Sequence, residues 1–199
     1  RGTGQPVRIH RLQIQAFGPF AGTEEINFDE LADGGLFLLD GPTGAGKSSI
    51  LDAICYALYG ALPGNRAGSR QIRSDHAPAG LAPEVVCELT IGDRRFEVTR
   101  SPAWMRPSKR GKNKTTEQKA ASFLREFTDS GWQELSTRND EVGHILGSLL
   151  GLDREQFTKV VMLPQGGFAD FLRAKAKDRE ELLANLFDTS GYARIEDEF

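Results

Sequence analysis

Apolar and polar positions change period several times along the chain, and each change predicts an element. From Val7 to Ala16 the pattern alternates, with Val7, Ile9, Arg11 and Gln13 on one side and Arg8, His10, Leu12 and Ile14 shading to the other. That is the period of a strand, and Gly18-Pro19 ends it. Ile26–Phe28 predicts a second short strand. Leu36-Phe37-Leu38-Leu39 is a continuous apolar run between Gly34-Gly35 and Gly41, as a strand buried on both faces would be. Ile50, Ile54 and Leu58 then fall at i, i+4 and i+8 with Ala53 and Ala57 beside them. This predicts a helix over Ser48–Tyr59, stopped by Gly60.

Further on, Pro63–Pro83 is rich in Gly, Pro and Ala and predicts a long loop. Val85–Ile91 and Arg94–Arg100 flank Gly92-Asp93 and predict a β-hairpin. Ser101–Thr116 predicts a Pro/Gly/basic loop around Trp104, and Glu117–Phe127 fits a strand or a helix equally. Val142, Ile145, Leu146, Leu149 and Leu150 form a helical stripe closed by Gly151. Asp153 with Gln156 three residues on has the spacing of a capping box and opens another helix. Val160–Leu163 predicts a strand before Pro164. Asp178 with Glu181 opens a last helix carrying Leu182, Leu183, Leu186 and Phe187.

Composition narrows the class. The 199 residues are 39% hydrophobic and 27% charged, with a net charge of −3, an ordinary balance for a soluble globular domain. No apolar run approaches the roughly 20 residues of a membrane span. The two cysteines, Cys55 and Cys87, fall in a helical and a strand pattern, and read as buried free thiols in a reducing, cytoplasmic compartment. His10, His76 and His144 are scattered, without metal-ligand spacing. Arg1–Pro6 reads as a leader or a vector remnant.

Gly41-Pro42-Thr43-Gly44-Ala45-Gly46-Lys47-Ser48 fits G-x-x-x-x-G-K-[ST] in full, between a predicted strand ending at Asp40 and a predicted helix beginning at Ser48. The glycines let the backbone turn its amides into one concavity, and the helix adds its positive end. Lys47 reaches the β- and γ-phosphates, Ser48 takes a Mg²⁺ position, and Ser49 lines the site. The motif predicts a nucleotide-phosphate site, read as one for ATP.

A self-sufficient P-loop enzyme needs an acid at the end of a second apolar strand. After the P-loop the best such run, Val160–Leu163, leads to Pro164 and Gln165 instead. Asp188-Thr189-Ser190-Gly191 has the D-x-x-G form of a GTPase, but it follows a helical stripe and no guanine-reading motif comes after it. The basic loop at 106–114 could pose as a kinase lid, so a stand-alone P-loop nucleotide kinase remains the alternative. A nucleotide-binding module without catalysis is a third reading. Gln165 suits an ABC-type ATPase, in which a glutamine bonds Mg²⁺ and the attacking water; alternatively it is a polar loop residue.

Several segments together resemble one family. Arg11-Leu12-Gln13-Ile14-Gln15-Ala16-Phe17-Gly18-Pro19-Phe20, Phe37 to Ile54, Ile72-Arg73-Ser74-Asp75-His76-Ala77, Gly151 to Phe157, Met162-Leu163-Pro164-Gln165-Gly166-Gly167-Phe168 to Leu172, and Arg179 to Tyr192 are similar to the N-terminal ATPase half of the SbcC family. These are the SMC-like ATPases of bacterial SbcCD nucleases. Gly167 departs from the family, which often has an acid there.

The resemblance implies an α/β P-loop NTPase of ABC/SMC type. This would be an N-terminal lobe over residues 7–191, with a mixed sheet and an antiparallel hairpin part, and a coiled coil starting at 192–199. The signature motif, Walker B acid and catalytic glutamate would sit in a C-terminal lobe, so hydrolysis would need that lobe and a second head. Two heads would sandwich ATP and Mg²⁺ and control an SbcD-like nuclease partner on DNA ends and hairpins. Asp40 through Ser49 would surround the phosphates, with Ser48 and Gln165 on Mg²⁺, Lys47 and Gln165 in catalysis, and Arg11 near the nucleotide. The run from Arg106 to Lys119, with Lys109, Arg110, Lys112 and Lys114 at its centre, has two readings. It could touch DNA phosphates, or it could be a solvated hairpin tip.

Overall fold

The computed structural model describes residues 6–31, 40–42, 44–63, 72–108 and 115–160. The chain divides after Gly151 into two units, Arg1–Gly151 and Leu152–Phe199.

The first unit is built on a six-stranded sheet in the order β2-β1-β3-β4-β7-β8, formed by β1 (Val7–Phe17), β2 (Phe20–Asn27), β3 (Glu84–Ile91), β4 (Arg94–Ser101), β7 (Ala121–Thr128) and β8 (Gly131–Ser136). β5 (Trp104–Pro107) and β6 (Thr115–Gln118) pair as a separate two-stranded ribbon. Every pairing among the described residues is antiparallel. The expected mixed sheet would need the Leu36–Leu39 strand, which lies outside the described residues.

Alternation decides which face is buried. Leu12 pairs with Cys87, Cys87 with Val98 and Val98 with Leu124. All four side chains are fully buried. Helices α2 (Lys47–Tyr59) and α3 (Asn139–Leu150) pack on this face, presenting Ala53, Ile54, Ala57 and Leu58 from α2 and Val142, Leu146 and Leu150 from α3. Truncating a side chain such as Leu12 or Leu124 to alanine would cost about 2–5 kcal/mol.

The opposite face carries a row of charges. Arg11 pairs in register with Glu88, Glu88 with Glu97 and Glu97 with Arg125. Glu88 and Glu97 are like charges set directly opposite each other, which is unfavourable by itself. Arginines offset it: Arg11 lies 3.6 Å from Glu88 and 3.3 Å from Glu97, Arg95 2.5 Å from Glu88, and Arg125 2.7 Å from Glu97.

Several expectations are corrected. β1 does not keep one alternation: Ile9 pairs with Leu89 and Arg11 with Glu88, so an extra residue at His10 puts Ile9 on the same face as Leu12. The second strand runs from Phe20 rather than Ile26. As an edge strand with Thr23, Glu24 and Glu25 exposed, it has no apolar alternation to betray it, and Phe28 is instead the buried start of α1 (Phe28–Leu31). The predicted Ser101–Thr116 loop contains the ribbon strand β5 and the start of β6. The undecided Glu117–Phe127 segment holds the end of β6 and most of β7, whose buried Ser122 and Leu124 alternate with outward residues. β8 had no counterpart in the sequence reading.

In the second unit, Asp153 and Gln156 close the predicted capping box. Gln156 N donates to Asp153 Oδ1 at 2.8 Å, and Asp153 N to Gln156 Oε1 at 2.9 Å. They open α4 (Arg154–Val160), so Val160 is helical, while the rest of the predicted strand, 161–163, lies outside the described residues. The predicted helix from Asp178 lies outside the described residues. Among the described residues no helix is long and apolar enough to cross a membrane.

Candidate nucleotide-binding site

The site is built on the amino end of α2. Gly44 and Gly46 take φ of 90° and 94°, which side-chain-bearing residues rarely adopt. Ala45 N donates to Pro42 O at 3.1 Å, which tightens the loop. The first helical bond runs from Ile50 N to Gly46 O at 3.1 Å, so the amides of Lys47, Ser48 and Ser49 have no acceptor within the helix. No side chain caps this end, and no acid lies in the first turn. Those amides and the positive end of the helix dipole are an arrangement that can receive an anion.

Lys47 completes it. Its Nζ donates to Gly41 O and, at 3.0 Å, to Pro42 O, which holds the ammonium across the loop. Ser48 is exposed beside it. Asp40, Gly41, Pro42, Gly44, Ala45, Gly46, Lys47, Ser48 and Ser49 are thus contiguous around one loop, while Thr43 lies outside the described residues. Among the described residues no cluster of His, Cys, Asp and Glu is suited to hold a metal by itself. A P-loop Mg²⁺ does not need one, because phosphates and water supply most of its ligands, and the Ser48 hydroxyl fits the protein's share.

The turn between β1 and β2 forms one wall, a role not read from the sequence. A Cβ at Gly46 would stand 2.7 Å from Phe20 Cζ and 3.2 Å from Pro19 Cγ, and one at Gly18 would stand 3.5 Å from Ser49 Oγ. In the sequence Gly18-Pro19 signals only the end of a strand. Part of the predicted Pro63–Pro83 loop braces this turn. Gly18 N donates to Ile72 O and Ser74 N to Ala16 O, both at 2.8 Å. Behind the turn, the rings of Phe17 and Tyr56 lie 5.9 Å apart.

Arg11 is not brought to the loop. It lies on the face of the sheet opposite α2, its guanidinium within 3.3–3.6 Å of Glu25, Glu88 and Glu97. Gln165 and Lys109, Arg110, Lys112 and Lys114 lie outside the described residues. Trp104 is buried, with the Arg73 guanidinium 5.3 Å from its ring centre. Beside it is a cavity of about 500 Å³ lined in part by Ser101, Arg106, Gln118 and Lys119.

The AAA domain family matches residues 11–197. The chain is 44% identical over 190 residues to the SbcC component of nuclease SbcCD from Vibrio cholerae, a match that covers 96% of this chain and 19% of that protein. It is 35% identical over 187 residues to the protein of the same name from Treponema pallidum, covering 93% and 17%. With that of Lactococcus lactis it shares 33% over 180 residues, covering 89% and 17%. The chain therefore spans about a fifth of the length of these relatives. With the G-x-x-x-x-G-K-[ST] sequence complete, an α/β lobe around it and a family match over nearly its whole length, the chain belongs to the AAA-domain family, in an SbcC-like form.

Proposed function

We propose that the chain is the ATP-binding N-terminal lobe of an SMC-like ATPase that controls a DNA-repair nuclease acting on DNA ends and hairpins. The observation that carries this is Lys47, held across the Gly41–Pro42 carbonyls at an uncapped helix end. The relatives' name, as the SbcC component of nuclease SbcCD, supplies the link to a nuclease.

In this reading the amides of Lys47, Ser48 and Ser49 bind phosphate oxygens, and Lys47 leaves its two carbonyls for the β- and γ-phosphates. Ser48 and Gln165 hold Mg²⁺, which offsets phosphate charge. Gln165 also orients the attacking water. The acid and signature residues come from a C-terminal lobe and from a second head, and an SbcD-like partner carries the nuclease. The work is positioning and charge stabilisation, as phosphoryl transfer generally requires.

Steady-state ATP hydrolysis by this chain, beside Lys47→Ala, tests the reading. Turnover only after the C-terminal lobe is added supports it. Robust Lys47-dependent turnover by the chain alone means that a full active site is present, and favours a stand-alone P-loop enzyme.

A further inference from the structure

α2 is held at both ends, and its carboxyl end is tied by a residue outside the phosphate loop. A helix leaves its last carbonyls without partners. Here Gly60 N donates to Tyr56 O at 2.8 Å. The next two carbonyls are taken by Arg100 on β4: Nε donates to Ala57 O at 2.8 Å and Nη2 to Leu58 O at 3.5 Å. The third arm, Nη1, donates to Ser122 Oγ on β7 at 2.9 Å. Ser122 in turn bonds Asn139 Oδ1, at the first residue of α3, and Asn139 Nδ2 reaches Ala120 O at 3.4 Å.

Arg100 is 3% exposed, and burial pulls its guanidinium below the usual arginine range. A cation so desolvated is costly unless well matched. Here it meets the negative end of the helix and a planar set of acceptors that suits its fork. Gly60 is shaped to the same contact, with φ of 69° and a Cβ position only 2.9 Å from Arg100 Nη1.

We propose that Arg100 is a positioning residue of the phosphate site. It fixes α2 along its axis by gripping Ala57 O and Leu58 O, and fixes that grip to β7 and α3 through Ser122 and Asn139. At 1.5 Å per residue α2 is a rod about 20 Å long, so slack at Leu58 is carried to Lys47 and Ser48. The inference rests on the reading of Gly41–Ser48 as an ATP site.

The test uses the full-length protein. It measures the Kd of a fluorescent ATP analogue, KM and kcat for ATP, and the Tm without nucleotide, in Arg100→Met, Arg100→Lys, Lys47→Ala and Leu89→Ala. Leu89 is a fully buried β3 residue and serves as a control for lost stability alone. Arg100→Met should raise Kd and KM about tenfold with a smaller change in kcat, since misplacement by a fraction of an ångström weakens phosphate contacts. Arg100→Lys, which still reaches one carbonyl, should recover part of the loss and carries the test if the methionine variant does not fold. Leu89→Ala should lower Tm with Kd within about twofold of the parent, since its packing is remote from the loop. If the Arg100 variants bind ATP as Leu89→Ala does at equal loss of Tm, the proposal is overturned. If Lys47→Ala itself binds ATP normally, the phosphate-site reading fails instead.

Discussion

Phe20 occupies the space that a side chain at Gly46 would need: a Cβ there would lie 2.7 Å from Phe20 Cζ. The last glycine of the phosphate loop is therefore constrained twice, by its φ of 94° and by the β1–β2 turn. Gly46→Ala should destabilise the loop by about 1–2 kcal/mol from backbone strain, and the collision with Phe20 adds to that. ATP-analogue binding should fall at least about tenfold. Phe20→Ala in the same background should restore part of the binding, because it clears the collision and leaves only the strain. Equilibrium titration of the three variants checks this.

Arg11 gives a prediction that separates two roles. Its guanidinium stands between Glu88 and Glu97, whose side chains are only 11% and 8% exposed. Arg11→Met would leave two poorly solvated carboxylates facing each other, each with one remaining arginine. The expected cost is about 1–3 kcal/mol, less than for a fully buried pair because Arg11 is itself partly exposed. Urea unfolding should show that loss while ATP affinity stays unchanged. Lost affinity with unchanged stability would instead return Arg11 to the nucleotide.

The parts of the fold that were legible in the sequence are those whose pattern is local. Ile50, Ile54 and Leu58 mark α2, Gly92-Asp93 marks the β3–β4 hairpin, and Asp153 with Gln156 marks the start of α4, because each signal lies within a few residues of its effect. The phosphate loop was legible for the same reason. β2 and β8 were not: each pairs only with the strand just before it, and as largely exposed edge strands they carry no clear apolar alternation. The side of Ile9 was hidden by one inserted residue, His10, which reverses the side of every residue before it. Arg11's partners Glu88 and Glu97 were hidden because they lie more than seventy positions away. The roles of Phe20 and Arg100 were hidden as well. Phe20 touches Gly46 only once the β1–β2 turn closes, and Arg100 meets Ala57 and Leu58 across more than forty positions of chain.

Cys87 should make the domain sensitive to alkali. Burial pushes its thiol up to about 12, with the neighbouring Glu88 adding to the rise. The unfolded thiol ionises near 8.5. A folded value above the unfolded one means that the native state keeps the proton while the unfolded state loses it. Its contribution is then complete below about pH 8.5 and is lost as pH rises toward about 12. Tyr56, pushed to about 12 mainly by burial, acts with the same sign at higher pH. Urea midpoints should fall between pH 8 and pH 10.5, and Cys87→Ala should show a shallower fall from a lower start. Native Cys87 should also resist iodoacetamide until urea exposes it.

The basic run offers a salt-dependent prediction. The described residues on either side of it are held in place: Trp104 lies under Arg73, and Arg106 and Lys119 line the adjoining cavity. If Lys109, Arg110, Lys112 and Lys114 each neutralise a phosphate, replacing all four with alanine reduces the slope of log K against log salt by up to about 3.6 for duplex DNA. Affinity should then fall most at low salt, and to the same degree for unrelated sequences, because phosphate contacts carry no base information. Fluorescence anisotropy with two unrelated duplexes across a salt series, using the full-length protein with ATP, measures both quantities. An unchanged slope assigns the run to solvent and removes it from the DNA surface. A loss confined to one duplex would instead require base contacts, for which the run has no interleaved aromatic residues.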